Sequence, residues 1–290
     1  MANGILIVDK PDGWTSQDVA AKLRGVFHEK RIGHGGTLDP MATGVLPIFI
    51  GRATRGVEFF ESAEKEYIAG IRLGTVTNTQ DITGEVLETN PVSATREDVL
   101  AALQKCTGDI EQMPPMYSAI KIGGQKLYEL ARRGVEVERQ PRQITIFELE
   151  LMGGAGCDYT LRVRCSKGTY IRTLCHDIGA ALGCGGVMSA LRRTEVGGYR
   201  VEGAHTMDEL CALPREAAQR LLLSVDSLWP DAPQVTVDAK AERLARCGNP
   251  FTLSAPDGTY RIYAASGEFL LLAQVTDGTA VTIKSFFEVS

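Results

Sequence analysis

The period of the apolar positions changes several times along the chain. Between Glu66 and Gly74 it is two: Tyr67, Ala69, Ile71 and Leu73 share one face of an extended segment, with Ile68 and Arg72 on the other. This predicts a strand with one buried side. Near the N-terminus a short apolar strand, Ile5 to Val8, runs into a Pro-Asp-Gly turn. Beyond it Val19, Ala20 and Leu23 recur at helical spacing behind Thr15 or Ser16 as N-cap. "GVLPIFIG" reads as a short buried segment, and "TREDVLAALQKCTG" as a capped helix with Gly108 close behind its end. From Tyr159 to Gly183 the pattern predicts a strand burying Leu161, Val163 and Cys165, a Ser-Lys-Gly turn, and a helix. That helix carries Ile171, Leu174, Cys175, Ile178 and Leu182 on one stripe and stops at Gly183.

Two stretches break this regularity. Gln112 to Arg142 combines Met113-Pro114-Pro115-Met116, a Gly123-Gly124 turn and six basic residues against three acids, and reads as an excursion from the main fold. Leu228 to Pro233, "LWPDAP", fits neither helix nor central strand and is the best linker candidate. After it, Asp257-Gly258, Ser266-Gly267 and Asp277-Gly278 punctuate the short apolar runs "YRIYA", "FLLLAQV" and "AVTI", the pattern of a small β domain.

Composition adds little to this beyond class. With 290 residues, 44% of them hydrophobic and 23% charged, the chain is an ordinary globular sequence with material for one large domain or two unequal ones. No apolar run is long enough to span a membrane, and no basic leader precedes one. The seven cysteines lack a C-x-x-C pair and the four histidines lack ligand spacing, so reduced thiols in a cytoplasmic protein without a metal are expected. The net charge of −5 argues at first against nucleic acid. Yet residues 201–290 hold 12 acids and 7 bases, so the chain before them is balanced. Within it, Arg162, Arg164, Lys167, Arg172, Arg192 and Arg193 face the single acid Asp177 between Tyr159 and Arg193. That cluster is either a phosphate-binding face or a solvated surface, and Lys167 and Arg172 fall near a helix N-terminus, a position that favours anions.

The candidate chemistry lies in "RIGHGGTLDPMATG", Arg31 to Gly44. Asp is a favoured N-cap and proline a favoured first helical residue, so the local pattern predicts that Asp39 starts a short helix at Pro40. The glycines are not followed by the Lys-Ser/Thr of a phosphate-binding loop.

The longer blocks add a second reading. "DKPDGWTS", "GHGGTLDPMATGVLPIFIGRATR", "KEYIAGIRLG", "MPPMYSAIKIGGQKLYELARRG" and "CSKGTYIRTLCHDIG" occur in order between about Ile5 and Arg193. Together they closely resemble the tRNA pseudouridine synthase B family; the C-terminal segment resembles the family's small RNA-binding domain of PUA type more weakly. The chain departs where the family often has G-H-T-G and T-D-T, with Gly33-His34-Gly35-Gly36 and Thr77-Asn78-Thr79 in their place.

The resemblance implies an α+β fold: a pseudouridine synthase catalytic domain over residues 1–230 with a mixed, largely antiparallel sheet flanked by helices, then a PUA-like β-barrel over 234–290. It implies isomerisation of a uridine in the tRNA T-loop, position 55, by base flipping and without cofactor or metal. Asp39 aligns with the catalytic aspartate, which either attacks C1′ or removes a sugar proton. Arg172 aligns with its arginine partner, and Tyr67 with the tyrosine that stacks on the target base. His34 aligns with the histidine that meets the rearranged T-loop, and Lys10, Tyr170 and Leu191 match positions lining the site. The excursion 112–142 corresponds to the inserted segment closing over the T-arm, with Lys121, Lys126, Arg132 and Arg142 as phosphate contacts. A monomer with the tRNA T-arm stem-loop as partner, and no obligatory protein partner or membrane, is implied as well.

Read one at a time, these residues have plainer roles: a surface arginine, a core tyrosine or leucine, a turn histidine or lysine, solvated bases. The alternatives to a tRNA uridine isomerase are a non-catalytic RNA-binding or tRNA-folding protein, a guide-RNA-dependent pseudouridine synthase, and an unrelated aspartate-dependent hydrolase. The last normally needs a second carboxylate, a metal or a Ser/Cys-His pair, and no such group stands out in the sequence.

Overall fold

A computed structural model describes residues 2–287. Its centre is a ten-stranded mixed sheet. Eight strands follow one another across it: His205–Thr206, Gly4–Lys10, Thr43–Ile50, Gly186–Val196, Lys65–Leu73, Asp158–Cys165, Arg142–Ala155 and Gly108–Gln112. Ile32–His34 and Tyr199–Arg200 pair beside this path. Only the pairings of Gly4–Lys10 with His205–Thr206 and of Thr43–Ile50 with Gly186–Val196 are parallel. The mixed, largely antiparallel sheet expected from the sequence is therefore present, and helices flank it.

Alternation sorts the two faces. Tyr67, Ala69, Ile71 and Leu73 turn inward with Leu161, Val163 and Cys165, and the helices Ser16–Phe27, Arg96–Lys105 and Ile171–Ala181 cover them. Two of these helices begin with a reciprocal cap: Thr15 with Asp18, and Thr95 with Asp98. Each satisfies two backbone donors that the first turn would otherwise leave free. The opposite face carries a second apolar cluster around Ile5, Ile7, Val45, Phe49 and Phe60. Further along that face the residues are charged and mutually paired.

The expected basic face is largely neutralised there. Arg162 reaches Glu150 at 3.0 Å, Glu148 at 3.2 Å and Glu66 at 3.5 Å, while Arg164 binds Glu64 at 2.6 Å. Arg192 binds Asp9 at 2.7 Å, and Arg193 is buried. Of the six bases, Lys167 alone is exposed without an ion pair among the described residues. Cross-strand glutamates far away in sequence account for the difference.

Gln112 and Arg142 are register partners on neighbouring strands, so the excursion leaves and re-enters the sheet at one rung. It contains a hairpin, Lys121–Ile122 with Gln125–Lys126, and the short helix Leu127–Ala131. A separate five-stranded sheet, from Gln234–Thr236 to Thr279–Ser285, has its own core around Tyr260, Ile262, Leu271 and Val275 and curls into a PUA-like half-barrel.

The stretch Leu228–Pro233, expected as a linker, is packed rather than free. Trp229 lies 5.2 Å from Phe59 and 5.6 Å from Phe286, ring centre to ring centre. Lys284 pairs with Glu58 across the same junction. Phe269 of the small sheet and Phe286, just after its strand Thr279–Ser285, thereby join the second apolar cluster of the large one.

The departure at Gly35 has a packing cause. A Cβ there would lie 2.6 Å from the Phe60 ring and 2.9 Å from Phe49. Phe60 is wedged between Gly35 and Gly197, where a Cβ would come within 2.5 Å. Gly35→Thr is therefore expected to cost about 1–3 kcal/mol of stability by overpacking, with most of it recovered in Gly35→Thr/Phe60→Leu. Urea unfolding of the two variants checks this; equal stability of Gly35→Thr and the parent chain would contradict it.

Candidate active site

Asp39 does not cap a helix. Residues Asp39 to Ala42 form a turn closed by the Ala42 N–H donating to the Asp39 carbonyl at 3.0 Å, and the chain then enters the strand Thr43–Ile50. The Pro40 carbonyl, which would have propagated a helix, accepts instead from Gly13 N–H and from Lys10 Nζ, both at 3.0 Å.

The loop is held from both sides by buried groups. Lys10 is fully buried, and its ammonium also donates to the carbonyls of Pro11 at 2.8 Å and Trp14 at 2.6 Å. All three of its donors are thus used on backbone, which places it beneath the turn rather than open to a ligand. Burial pulls its pKa down to about 8, opposed by the nearby carboxylates of Asp12 and Asp39. Ser16 Oγ accepts from Leu38 N–H at 2.9 Å and donates to the Leu38 carbonyl at 3.2 Å. From the other side Arg193, 1% exposed, donates to the carbonyls of Val45 at 2.7 Å and Gly36 at 3.2 Å. Gly44 (φ 100°) lets this arginine's backbone approach, since a Cβ would sit 2.1 Å from the Arg193 carbonyl oxygen.

So fixed, the Asp39 carboxylate meets Arg172 in a two-point contact: Nε to Oδ2 at 2.9 Å and Nη2 to Oδ1 at 3.3 Å. The remaining guanidinium donors reach the carbonyls of Tyr117 at 2.8 Å and Thr79 at 3.1 Å, and Nη1 lies 3.8 Å from Asp81. Asp81 itself accepts from Thr83 Oγ1 at 2.6 Å, Thr83 N–H at 2.9 Å and Thr79 Oγ1 at 2.9 Å. One buried cation therefore sits between two carboxylates. The side chain of Arg172 is 7% exposed against 34% for Asp39, so only the aspartate faces open space. Burial raises the Asp39 pKa above the ordinary carboxylate value; Arg172 pulls it back down, and Asp81 adds a smaller upward push.

Tyr67 lies on the same inner face, opposite Arg193 in the ladder, 8% exposed and with its phenol pKa raised by burial. Leu191 is two ladder positions away, opposite Ala69, and belongs to the core. His34 ends the short Ile32–His34 strand; burial and, secondly, Arg193 lower its pKa, and its Nδ1 is buried without a partner. Tyr170 stands at the head of the helix Ile171–Ala181, two residues before Arg172.

The excursion's bases make no ion pair with this cluster among the described residues. Lys126 and Arg132 each stand 5.4 Å from the centre of the Tyr128 ring, and Lys121 and Arg142 are exposed. None of the four forms an ion pair among the described residues. The roles of Asp81, Arg193 and Gln112 are invisible in sequence. Asp81 is one acid in a turn, Arg193 one base among six, Gln112 one polar residue at a strand end, and each acts through contacts distant in the chain.

No group of three or more His, Cys, Asp or Glu among the described residues is arranged to hold a metal, and no helix among them is long and apolar enough to cross a membrane.

Comparisons with known proteins match the chain along most of its length. Residues 24–171 match the family described as TruB family pseudouridylate synthase (N terminal domain), and residues 172–229 match the tRNA pseudouridylate synthase B C-terminal domain. The tRNA pseudouridine synthase B of Azoarcus sp. (strain BH72) is 47% identical over 280 residues, 96% of this chain and 93% of that protein. The protein of the same name from Francisella philomiragia subsp. philomiragia is 44% identical over 289 residues, covering 99% and 95%. Among solved structures, a Cbf5-Nop10-Gar1 complex aligns with a TM-score of 0.74 at 26% identity, over 99% of this chain and 85% of the other. An H/ACA RNP bound to a substrate RNA aligns at 0.72 and 24%, over 99% and 86%, and shows the shared fold. With residues 24–171, about half of the chain, and the following segment 172–229 both matched, and relatives of 44–47% identity along nearly its whole length, the chain belongs to the TruB family of pseudouridine synthases.

Proposed function

We propose that this pseudouridine synthase acts on the T-loop of tRNA, at position 55, with Asp39 as the catalytic carboxylate. The carrying observation is the two-point Asp39–Arg172 contact on a loop anchored from below by Lys10 and from the side by Arg193. The reaction breaks the N1–C1′ bond of uridine, turns the base in place and joins C5 to C1′, with no net change in atoms. Positive charge develops at C1′ as the bond breaks. A fixed, partly open carboxylate stabilises that charge or bonds to the carbon, as carboxylates do in glycoside hydrolysis. Arg172 keeps Asp39 ionised in a shielded site, and Tyr67 supplies an aromatic face against which a freed uracil is held yet able to turn.

A base inside a folded loop has to leave its stack to reach Asp39. His34, Tyr170 and Leu191 are assigned to the walls that receive it. Lys10 is assigned to the same site through the turn it carries. The unpaired bases Lys121, Lys126, Arg132 and Arg142 of segment 112–142 are assigned to phosphates of the T-arm, and the small domain at 234–290 to a further RNA contact. The catalytic part is taken as residues 1–230, because Asp39, Tyr67, Arg172 and Arg193 all precede that point.

Incubating the purified protein with an unmodified tRNA transcript and mapping pseudouridine tests the reading. Product at position 55 without any added guide RNA or protein is expected; product only when a guide RNA is supplied would favour the guide-dependent alternative. Binding is also expected to weaken with salt, log Kd rising with a slope of about 0.7–0.9 per phosphate contact. Removing Lys121 and Arg142 together should lower that slope by about 2. An unchanged slope would place the phosphates elsewhere.

A further inference from the structure

The helix that presents Arg172 begins without a side-chain cap of its own. Tyr170 stands at its N-cap, offers no side-chain acceptor to the first turn, and no acid follows it there. Its backbone is extended (φ −102°, ψ 108°), so its N–H and C=O point the same way, as in a strand. Both are taken by one side chain: Tyr170 N–H donates to Gln112 Oε1 at 2.8 Å, and Gln112 Nε2 donates to the Tyr170 carbonyl at 3.1 Å. The same carbonyl accepts the first helical bond, from Leu174 N–H at 3.0 Å. Gln112 is 2% exposed. A primary amide is the uncharged side-chain group that both donates and accepts in this geometry.

Gln112 also occupies the rung from which the inserted segment departs, opposite Arg142. Tyr117, further along that segment, gives its carbonyl to Arg172 Nη2. The segment thus touches the arginine at two places: through the peptide that starts its helix, and through its guanidinium.

We propose that Gln112 is a positioning residue for the isomerisation: by clamping the Tyr170 peptide to the foot of the inserted segment, it sets Arg172 in its two-point contact with Asp39. The proposal rests on the reading of Asp39 and Arg172 as the reacting carboxylate and its partner. Without the amide, the Tyr170 N–H loses its partner and the Tyr170 carbonyl keeps only the Leu174 N–H at a half-buried helix start, and the first turn relaxes to recover the lost bond. Arg172 lies in that turn, and a small misplacement at a reacting centre is costly in rate.

The test compares the full chain with Gln112→Ala and Gln112→Glu, measuring single-turnover pseudouridine formation at saturating tRNA, tRNA Kd and thermal unfolding. Gln112→Ala is expected to lower the rate by about 10²-fold while Kd stays within about twofold, because the amide is buried away from RNA. Gln112→Glu keeps the shape and can still accept from Tyr170 N–H, but once ionised it cannot donate to the carbonyl. Its protonated form can do both, and the charged residues nearest it in register, Glu111 and Arg142, are exposed. Its rate relative to the parent chain should therefore rise on acidification, as the introduced carboxyl takes up its proton and both bonds to the Tyr170 peptide return.

A folded Gln112→Ala with the parent rate, or a Gln112→Glu ratio flat with pH, would overturn the clamp. Rate and affinity falling in parallel would also overturn it, making Gln112 part of the RNA grip. A parent chain that makes no pseudouridine at all would instead remove the reading of Asp39 on which the clamp rests.

Discussion

Asp39→Asn should abolish pseudouridine formation, lowering the single-turnover rate by about 10³-fold or more, the scale on which loss of a charged catalytic group is felt. The amide is nearly isosteric with the carboxylate and sits on the same anchored turn, so RNA affinity should stay within about twofold. Folding should survive as well. Arg172 keeps the carbonyls of Thr79 and Tyr117 and the neighbouring Asp81. The carboxylate also carries a desolvation cost that the amide does not share, since its pKa is raised by burial in the folded chain. The sign of the pH dependence follows from that direction. The ionised form is the active one, so the parent rate falls as pH drops through a value above the ordinary carboxylate pKa of about 3.9. Single-turnover assays across the acid range check both statements; appreciable activity in Asp39→Asn would refute the assignment.

Arg172→Lys should lower the rate by about 10²-fold and move the acid limb of the pH profile to higher pH. Lysine offers a single nitrogen where the guanidinium uses three, directed to Asp39, to Tyr117 and to Thr79 with Asp81 behind it. Arg172 is the largest influence opposing the burial of Asp39, so a looser cation lets the carboxylate hold its proton to higher pH. Arg172→Met removes the cation altogether and leaves two shielded carboxylates facing each other, with an expected stability loss of about 3–5 kcal/mol at neutral pH. That loss should shrink on acidification, as the carboxylates take up protons. An acid limb in Arg172→Lys that coincides with the parent's would mean that the arginine does not control Asp39.

Local signals were legible where the structure is local. The caps at Thr15 and Thr95 and the alternation from Tyr67 to Leu73 each depend on neighbours a few positions away, and the elements appear where those signals place them. The paired boundaries of the excursion were also readable, because a compositional break coincides with the rung Gln112–Arg142. Asp39-Pro40 misleads for the converse reason. Its local preference is for a helix start, but Lys10 and Gly13, about thirty residues earlier in the chain, capture the Pro40 carbonyl. The basic run from Arg162 to Arg193 misleads in the same way. A count of charges along the chain does not see that Glu64, Glu66, Glu148, Glu150 and Asp9 lie across the sheet from it. Around Asp39, family blocks single out the carboxylate and Arg172 as candidates, and the structure brings these two side chains together. They do not reveal Arg193, whose work is done by side-chain bonds spanning 148 and 157 residues.

The single rung at which segment 112–142 leaves and returns makes that segment a cassette. Neighbouring strands close the sheet beneath it whatever its length, so exchange with the corresponding stretch of a relative need not alter strand register. The safe joints are set by chemistry rather than by the edges of the excursion. Gln112 and the Tyr117 carbonyl serve the arginine, while Ser118 is bonded back through its carbonyl to Tyr128 N–H. A graft that keeps the chain through Ser118 and replaces what lies between it and Arg142, with Tyr128 or an equivalent donor retained, would exchange the hairpin and the short helix while leaving the Asp39–Arg172 contact as built. Under the proposed function, chimeras of this kind would read a different RNA with the same carboxylate.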